Sequence, residues 1–133
     1  MRLLFFISLA MTVTACAPIP HQEDISPTIS GKVIDAQSGK GIKGVAVEVY
    51  PWNETESALS GRSDENGEFS LMKVQRWRAV FWLLGGDPVM YGHVRIMRNG
   101  YSLTKREYFL STGELFVEGG PSVDFGNIML APN

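Results

Sequence analysis

Hydrophobic and polar residues alternate along most of the chain, and this pattern predicts short β-strands. Ile29 and Val33 share one face of the stretch 28–33, and Val45, Val47 and Val49 alternate with less apolar residues. Period-two alternation bounded by Gly, Asn and Asp clusters is typical of half-buried strands. No segment carries a long 3.6-residue repeat. The pattern therefore predicts an all-β domain.

The later strand candidates follow the same alternation and are 69–71, 77–84, 93–97, 107–110 and 127–130. The sequence Asp64-Glu65-Asn66-Gly67 predicts a hairpin turn, because glycine at position 67 suits the positive φ of such a turn. Phe69 follows it and is predicted to lie in the core. About seven short strands with frequent turns indicate a single antiparallel β-sandwich.

Strand parity sorts 77–84 and 93–97 into core and outer positions. The predicted core positions include Trp77, Val94 and Ile96. The predicted outer positions include Arg76, Arg78, Trp82, His93, Arg95 and Met97. If the two segments pair through the turn at 85–88, arginines from both strands gather on one outer face.

The first residues are typical of a cleaved leader. An apolar stretch over 3–13 follows Arg2; it is shorter than the roughly 20 residues that a membrane-spanning helix needs and fits a signal peptide. Val13-Thr14-Ala15-Cys16 resembles the bacterial lipoprotein box, in which the cysteine is acylated and becomes the N-terminus. A stable anchor needs more than one acyl chain, and a triacylated cysteine supplies them. In the sorting rule of the lipoproteins that this leader resembles, Asp directly after the cysteine retains the protein at the inner membrane. This chain has Ala17 at that position, which predicts an outer-membrane location.

This interpretation divides the chain into three parts. Residues 1–15 are predicted to be a lipoprotein signal peptide, and 16–27 a lipidated cysteine followed by a flexible tether rich in proline and polar residues. Residues 28–131 are predicted to be the β-sandwich. With Cys16 lipidated, the chain has no second cysteine for a disulfide, so packing alone stabilises the domain.

Several short motifs within 28–131 resemble the carboxypeptidase regulatory-like domain, whose fold is a transthyretin-like β-sandwich. The matching residues are Gly31, Val33 and Asp35 on the first strand, the alternating valines 45–49, Asp64, Asn66, Gly67 and Phe69 of the hairpin, Gly100-Tyr101, and Ile128 and Leu130 of the closing strand. The resemblance implies a transthyretin-like sandwich and a non-catalytic accessory role. The zinc carboxypeptidase unit of that family is missing here.

Known chemistries of related folds find little support in the sequence. Hydroxyisourate hydrolases end in Tyr-Arg-Gly-Ser, where this chain has residues 130–133, Leu-Ala-Pro-Asn. An intradiol dioxygenase iron site uses two histidines, but His21 lies in the predicted tether, far from His93. An intramolecular isopeptide bond between Lys32 and Asn127 would need an inward-facing lysine, whereas alternation with Ile29 and Val33 turns Lys32 outward. We therefore expect no metal and no cofactor.

Charge is unevenly distributed. Residues 73–109 carry seven Lys and Arg against two Asp and Glu, whereas the chain as a whole has a net charge of −2. Aromatic residues crowd the same stretch. Like charges opposite one another on neighbouring strands are destabilising, so clustered arginines suggest an anionic or carboxylate-bearing partner. The predicted partner-binding residues are Arg76, Arg78, Trp82, Tyr91, His93 and Arg95. The alternative is a solvated surface with ion pairs to Asp87 or Glu107.

Together these observations predict a non-catalytic binding or scaffolding module, anchored at the outer membrane by lipid and facing the periplasm. The expected partner is an envelope protein or an anionic envelope component. The second hypothesis is an inhibitor or immunity-type protein that blocks a periplasmic enzyme. The third hypothesis is an enzyme of unrecognised type. Nucleic acid is not an expected partner, because the net charge is acidic and the sequence contains no nucleic-acid-binding motif.

Overall fold

A computed structural model of the protein describes residues 19–80 and 89–133. These residues divide into two compact units: a ribbon formed by 19–23 and 76–80, and a sandwich formed by 24–75 and 89–133. The elements of the described ranges, in chain order, are β1 (Ile19–Ser26), β2 (Thr28–Asp35), β3 (Ala46–Pro51), β4 (Leu59–Arg62), β5 (Glu68–Leu71), β6 (Val74–Val80), β7 (Met90–Met97), β8 (Thr104–Leu110), α1 (Thr112–Leu115) and β9 (Ser122–Leu130). The all-β prediction is confirmed.

The sandwich consists of two sheets that together hold seven of these strands. One sheet has the order β5-β2-β9 and the other the order β4-β3-β7-β8. The strand number agrees with the sequence analysis. The sandwich is thus built from a three-stranded and a four-stranded sheet.

One strand pair departs from the predicted antiparallel arrangement. β2 and β9 are parallel, with Val33 opposite Ile128, whereas all other pairs of the two sandwich sheets are antiparallel. The reason is the segment 111–121, which leads from the end of β8 to the start of β9 and brings that start beside the first residue of β2. There the backbone N–H of Thr28 donates to the carbonyl of Pro121 at 2.9 Å.

The core lies between the two sheets and is filled by the inward residues of each strand. Its most completely buried members are Ile29, Val33, Val45, Val47, Val49, Val94, Ile96, Ile128 and Leu130. Burying each such side chain contributes about 1.5–3 kcal/mol relative to leaving it in water. The predicted inward positions on β2, β3 and β7 are confirmed, and so is the outward position of Lys32, whose side chain is 39% exposed.

The predicted hairpin is confirmed at the turn before β5. The Asp64 carboxylate Oδ1 accepts the backbone N–H groups of Asn66 and Glu68, each at 2.8 Å. Gly67 has φ of 80°, which glycine adopts without steric strain. Phe69 then lies in the core, and its ring covers Gly31, where an added Cβ would lie 2.9 Å from the ring.

The region predicted to be a flexible tether contains a strand instead. β1 covers Ile19–Ser26 and pairs with β6, and both Ser26 and Pro27 are fully buried. The Asp24 carboxylate also accepts hydrogen bonds from Lys73 at 3.3 Å and Gln75 at 2.6 Å. Backbone pairing and these polar contacts order a segment whose composition offers no apolar alternation.

The segment 77–84 begins in a strand as predicted, because β6 covers Val74–Val80, but its predicted core side and its predicted partner are wrong. Trp77 is 67% exposed rather than buried. The partner of β6 is β1, while β7 lies between β3 and β8, so the two segments do not pair as predicted. Parity assumed that the strand covers the core, but β6 belongs to the ribbon. Residues 81–84 lie outside the described residues.

The strands of the sandwich run between two ends, called the base and the top below. At the base β2 and β9 begin and β8 ends; at the top β2, β7 and β9 end. The Tyr101 hydroxyl closes the top by donating to the Asp35 carboxylate at 2.8 Å. The same carboxylate accepts the backbone N–H of Ser38 at 2.6 Å, and these bonds lower the pKa of Asp35 to about 2.

Candidate functional site

The outer face of the four-stranded sheet carries the most organised set of exposed side chains in the sandwich. Alternation places Val94 and Ile96 of β7 in the core, so Tyr91, His93 and Arg95 point away from it. The same rule turns Glu48 and Tyr50 of β3 outward. On β8 the outward residues are Lys105, Glu107 and Phe109. This surface is called the sheet face below.

The centre of the sheet face is an interlocked group of four side chains from two strands. Tyr50 and His93 are cross-strand partners, and their rings stack with centroids 5.1 Å apart and planes 6° from parallel. Arg95 lies over the Tyr50 ring, with its Cζ 5.5 Å from the centroid. The Tyr50 hydroxyl donates to the Glu48 carboxylate at 2.7 Å and accepts from Arg95 at 3.4 Å.

These contacts fix the charge state of the group. The hydrogen bond to Glu48, together with desolvation, raises the pKa of the Tyr50 hydroxyl above its ordinary value. Partial burial lowers the pKa of His93, and the positive charges of Lys105 and Arg95 lower it further, while Glu107 opposes them. His93 is therefore predominantly neutral at neutral pH, and Arg95 carries the positive charge of this group.

Towards the base, the sheet face continues as a row of three aromatic side chains. Trp52 and Tyr91 have ring centroids 4.8 Å apart at a tilt of 44°. Phe109 lies opposite Tyr91 on β8 and is exposed. A shallow cleft of about 230 Å³ adjoins this row and is bordered by Trp52, Tyr91, His93, Lys105 and Glu107, among others. An exposed aromatic row next to a cation and carboxylates suits binding rather than core packing.

The structure brings together three of the six predicted partner-binding residues. Tyr91, His93 and Arg95 share the sheet face. Arg76 belongs to the ribbon unit, Trp82 lies outside the described residues, and the side chain of Arg78 is likewise not described. The pairing expected to unite the arginines does not form, because β7 takes β3 and β8 as its neighbours.

Sequence reasoning missed the contribution of β3 and its following turn. Glu48, Tyr50 and Trp52 lie at the positions that alternate with Val47 and Val49. The parity that identified the valines as core thus already placed these side chains outside. What the sequence does not show is that β3 lies beside β7, which brings Tyr50 to His93 and Glu48 opposite Arg95.

Within residues 19–80 and 89–133, no group of three or more His, Cys, Asp or Glu side chains could hold a metal ion. Among the same residues, none of the helices has the length and apolar character needed to cross a membrane.

Comparison with known proteins establishes the fold. No protein-family model matches the chain, and no curated protein matches its sequence. A solved structure of 5-hydroxyisourate hydrolase from Klebsiella pneumoniae is similar at 13% identity and a TM-score of 0.53, over 81% of this chain and 92% of that one. A 3-chlorocatechol 1,2-dioxygenase from Rhodococcus opacus 1CP has 12% identity and a TM-score of 0.49, over 89% and 64% respectively.

The protein is thus a transthyretin-like β-sandwich. The hydrolase is an enzyme, and a likeness at 13% identity shows the fold and not the activity. The function must be argued from the side chains that this chain displays.

Proposed function

We propose that the protein is a non-catalytic binding or scaffolding module of the bacterial envelope, a carboxypeptidase regulatory-like domain held at the outer membrane by a lipid on Cys16. The sandwich faces the periplasm, and the sheet face contacts a partner protein. The motifs of the first half of the domain support the family, and the Val13–Cys16 box supports the anchor.

The observation that carries the binding function is the interlocked group on the sheet face. Arg95 is held against Tyr50, which is itself fixed by Glu48 and stacked on His93. Side chains fixed before binding lose little conformational entropy when a partner docks. Tyr, Trp and Arg are also the residues most enriched among interface positions that dominate affinity. The group therefore has both the composition and the rigidity of a binding surface.

The chemistry of the group favours a partner that presents a carboxylate. Arg95 donates through Nη1 to the Tyr50 hydroxyl, and a guanidinium can pair with a carboxylate through two parallel hydrogen bonds. The aromatic row beside it offers flat apolar area to a neighbouring side chain of the partner. A neutral His93 adds no repulsion to a second cation on the partner.

A membrane pull-down with matched variants tests the binding proposal. Arg95→Ala should weaken capture of the partner about tenfold or more, as truncation at a dominant interface position does. Lys32→Ala is the control, because Lys32 is a half-exposed cation facing a carboxylate, Glu68, on the outer side of the other sheet. Both variants should keep the wild-type melting temperature. A partner that Arg95→Ala retains, or that Lys32→Ala loses equally, would exclude the sheet face.

The anchor is tested by Cys16→Ser. This substitution should leave the precursor uncut or release the protein from the membrane fraction, because no other acylation site would remain. Mass spectrometry of the wild-type N-terminus should find an acylated Cys16. Normal processing and membrane fractionation of Cys16→Ser would rule the anchor out.

A further inference from the structure

The exposed apolar side chains of the sandwich are concentrated at one end. Eight large apolar side chains are exposed in the sandwich unit, and six of them lie at or beside the base: Trp52, Met72, Val89, Phe109, Phe116 and Val117. The other two, Leu103 and Met129, lie at the top. Apolar side chains that are exposed singly and at random would not be concentrated at one end.

The most prominent of these side chains lie in the segment between α1 and β9. Phe116 is 76% exposed and Val117 is 47% exposed, although the neighbouring Leu115 packs against the core. The segment is held by a capping box at Ser111 and Glu114 and by the hydrogen bond from Thr28 to Pro121. Two apolar side chains are therefore displayed outward by a segment that is fixed at both ends.

The N-terminal segment that precedes β2 also joins the sandwich at the base. Thr28 begins β2 at the base, and Asp24 is held there by Lys73 at 3.3 Å. Asp24 lies eight positions after Cys16, so this point lies within about 28 Å of the lipidated residue even if the chain is fully extended. The anchored chain therefore joins the sandwich at its base, which is the end nearest to Cys16 along the chain.

We propose that the base of the sandwich rests on the lipid bilayer, with Phe116 and Val117 in the interfacial region as a second membrane contact beside the acyl chains. The inference depends on the lipid at Cys16 that was proposed above. Aromatic and aliphatic side chains on projecting segments partition into the membrane interface. Phe116 and Val117 supply that chemistry, and the anchor keeps their concentration at the bilayer high.

The charges beside these side chains indicate which lipid surface they suit. Glu114 and Glu118 flank Phe116 and Val117, so an anionic surface would repel the segment. A zwitterionic surface such as phosphatidylcholine avoids that repulsion, and apolar contact then provides the attraction. This choice distinguishes the contact from the basic surfaces that recognise anionic lipids.

The test uses the full chain, purified with its lipid and reconstituted into phosphatidylcholine vesicles. Cys16 is the only cysteine, so once it is acylated an introduced cysteine is the single free thiol for a fluorescent label. Gly113→Cys places the label near the contact, because a Cβ there meets nothing within 4 Å. Leu103→Cys is the matched control, since Leu103 is an exposed apolar residue at the top.

Lipids brominated near the headgroup should quench the label at position 113 and leave the label at 103 unquenched. Adding Phe116→Ser and Val117→Ser to Gly113→Cys should abolish that quenching, with the melting temperature retained because both side chains are exposed. Equal quenching at 113 and 103, or none at either, would overturn the membrane contact while the anchor stands. Shielding of position 113 without quenching would mean that a second copy covers it, which also overturns the proposal. A free thiol at Cys16 would instead refute the anchor, and the inference with it.

Discussion

Replacing Tyr108 by Phe should stabilise the protein, although the tyrosine belongs to its core. The side chain is 4% exposed, and its hydroxyl has no hydrogen-bond partner in the described structure. It lies against Gly92 of β7, where a Cβ would collide with it. Burying a hydroxyl without a partner costs about 1–3 kcal/mol. Phe keeps the ring packing and removes this cost.

The pH dependence of the gain follows from the same burial. Burial raises the pKa of Tyr108 to about 12, whereas a tyrosine in the unfolded chain ionises near 10. Between these values the unfolded chain loses the proton and the folded protein keeps it, so stability falls as pH rises. One pKa unit corresponds to about 1.4 kcal/mol, so the two-unit difference removes about 2.3 kcal/mol by pH 12 and about 2.7 kcal/mol well above it. Tyr108→Phe has no such alkaline loss.

Urea denaturation at several pH values between 7 and 11.5 measures both effects. We expect the free energy of unfolding of Tyr108→Phe to exceed that of wild type by about 1 kcal/mol at pH 7. This difference between the two proteins should widen above pH 10. Tyr101→Phe is the matched control of opposite sign, because it removes a hydroxyl that donates to Asp35. A loss of stability in Tyr108→Phe at pH 7 would show that the hydroxyl has a partner. A gap that stays constant to pH 11.5 would show that the hydroxyl is not shielded from water.

Three further substitutions test the hairpin and the top of the sandwich by chemical denaturation. Gly67→Val should destabilise the fold, because φ is 80° and a branched side chain there would strike the carbonyl of Val33; wild-type stability would contradict the turn. Phe69→Ala should cost about 3–5 kcal/mol, and a cost below about 1 kcal/mol would mean that the ring is not in the core. The carboxylate of Asp35 stabilises the wild-type fold above about pH 4 and loses this effect between about pH 4 and 2, because its pKa is about 2 in the folded protein and about 3.9 in the unfolded chain. Asp35→Asn should abolish this stabilisation and its acid dependence. The same acid profile in both proteins would contradict this.

The strands that sequence predicted well are those whose alternation is set by the core. Ile29 and Val33 of β2 and the valines of β3 are apolar at every second position because each strand covers the core with one face. Asp64 and Gly67 marked the hairpin because its backbone requires those residue types. Such local requirements are visible without knowledge of which strands are neighbours.

The ribbon could not be predicted in this way. β1 includes Pro20 and a run of polar residues, and its pairing with β6 is a backbone contact that leaves no apolar period in the sequence. Trp77 was assigned to the core by parity alone, which fails for a strand outside the sandwich. Only part of the site could be predicted from the sequence. Strand parity placed Arg95 and His93 on the outer face correctly, but the contact of Tyr50 with them depends on β3 lying beside β7.

The two proposed surfaces together restrict the partner. The strands run from base to top, so a base that rests on the bilayer makes the strands stand up from the membrane and turns the sheet face sideways. Arg95 lies five residues from Met90 along β7, which at about 3.3 Å per residue places it roughly 17 Å above the base. A partner that uses the sheet face must therefore present its carboxylate within about 20 Å of the membrane surface and approach from the side. Such an approach suits a neighbour in the same membrane or a periplasmic protein held close to it, and a partner bound deep in the periplasm would not reach the site.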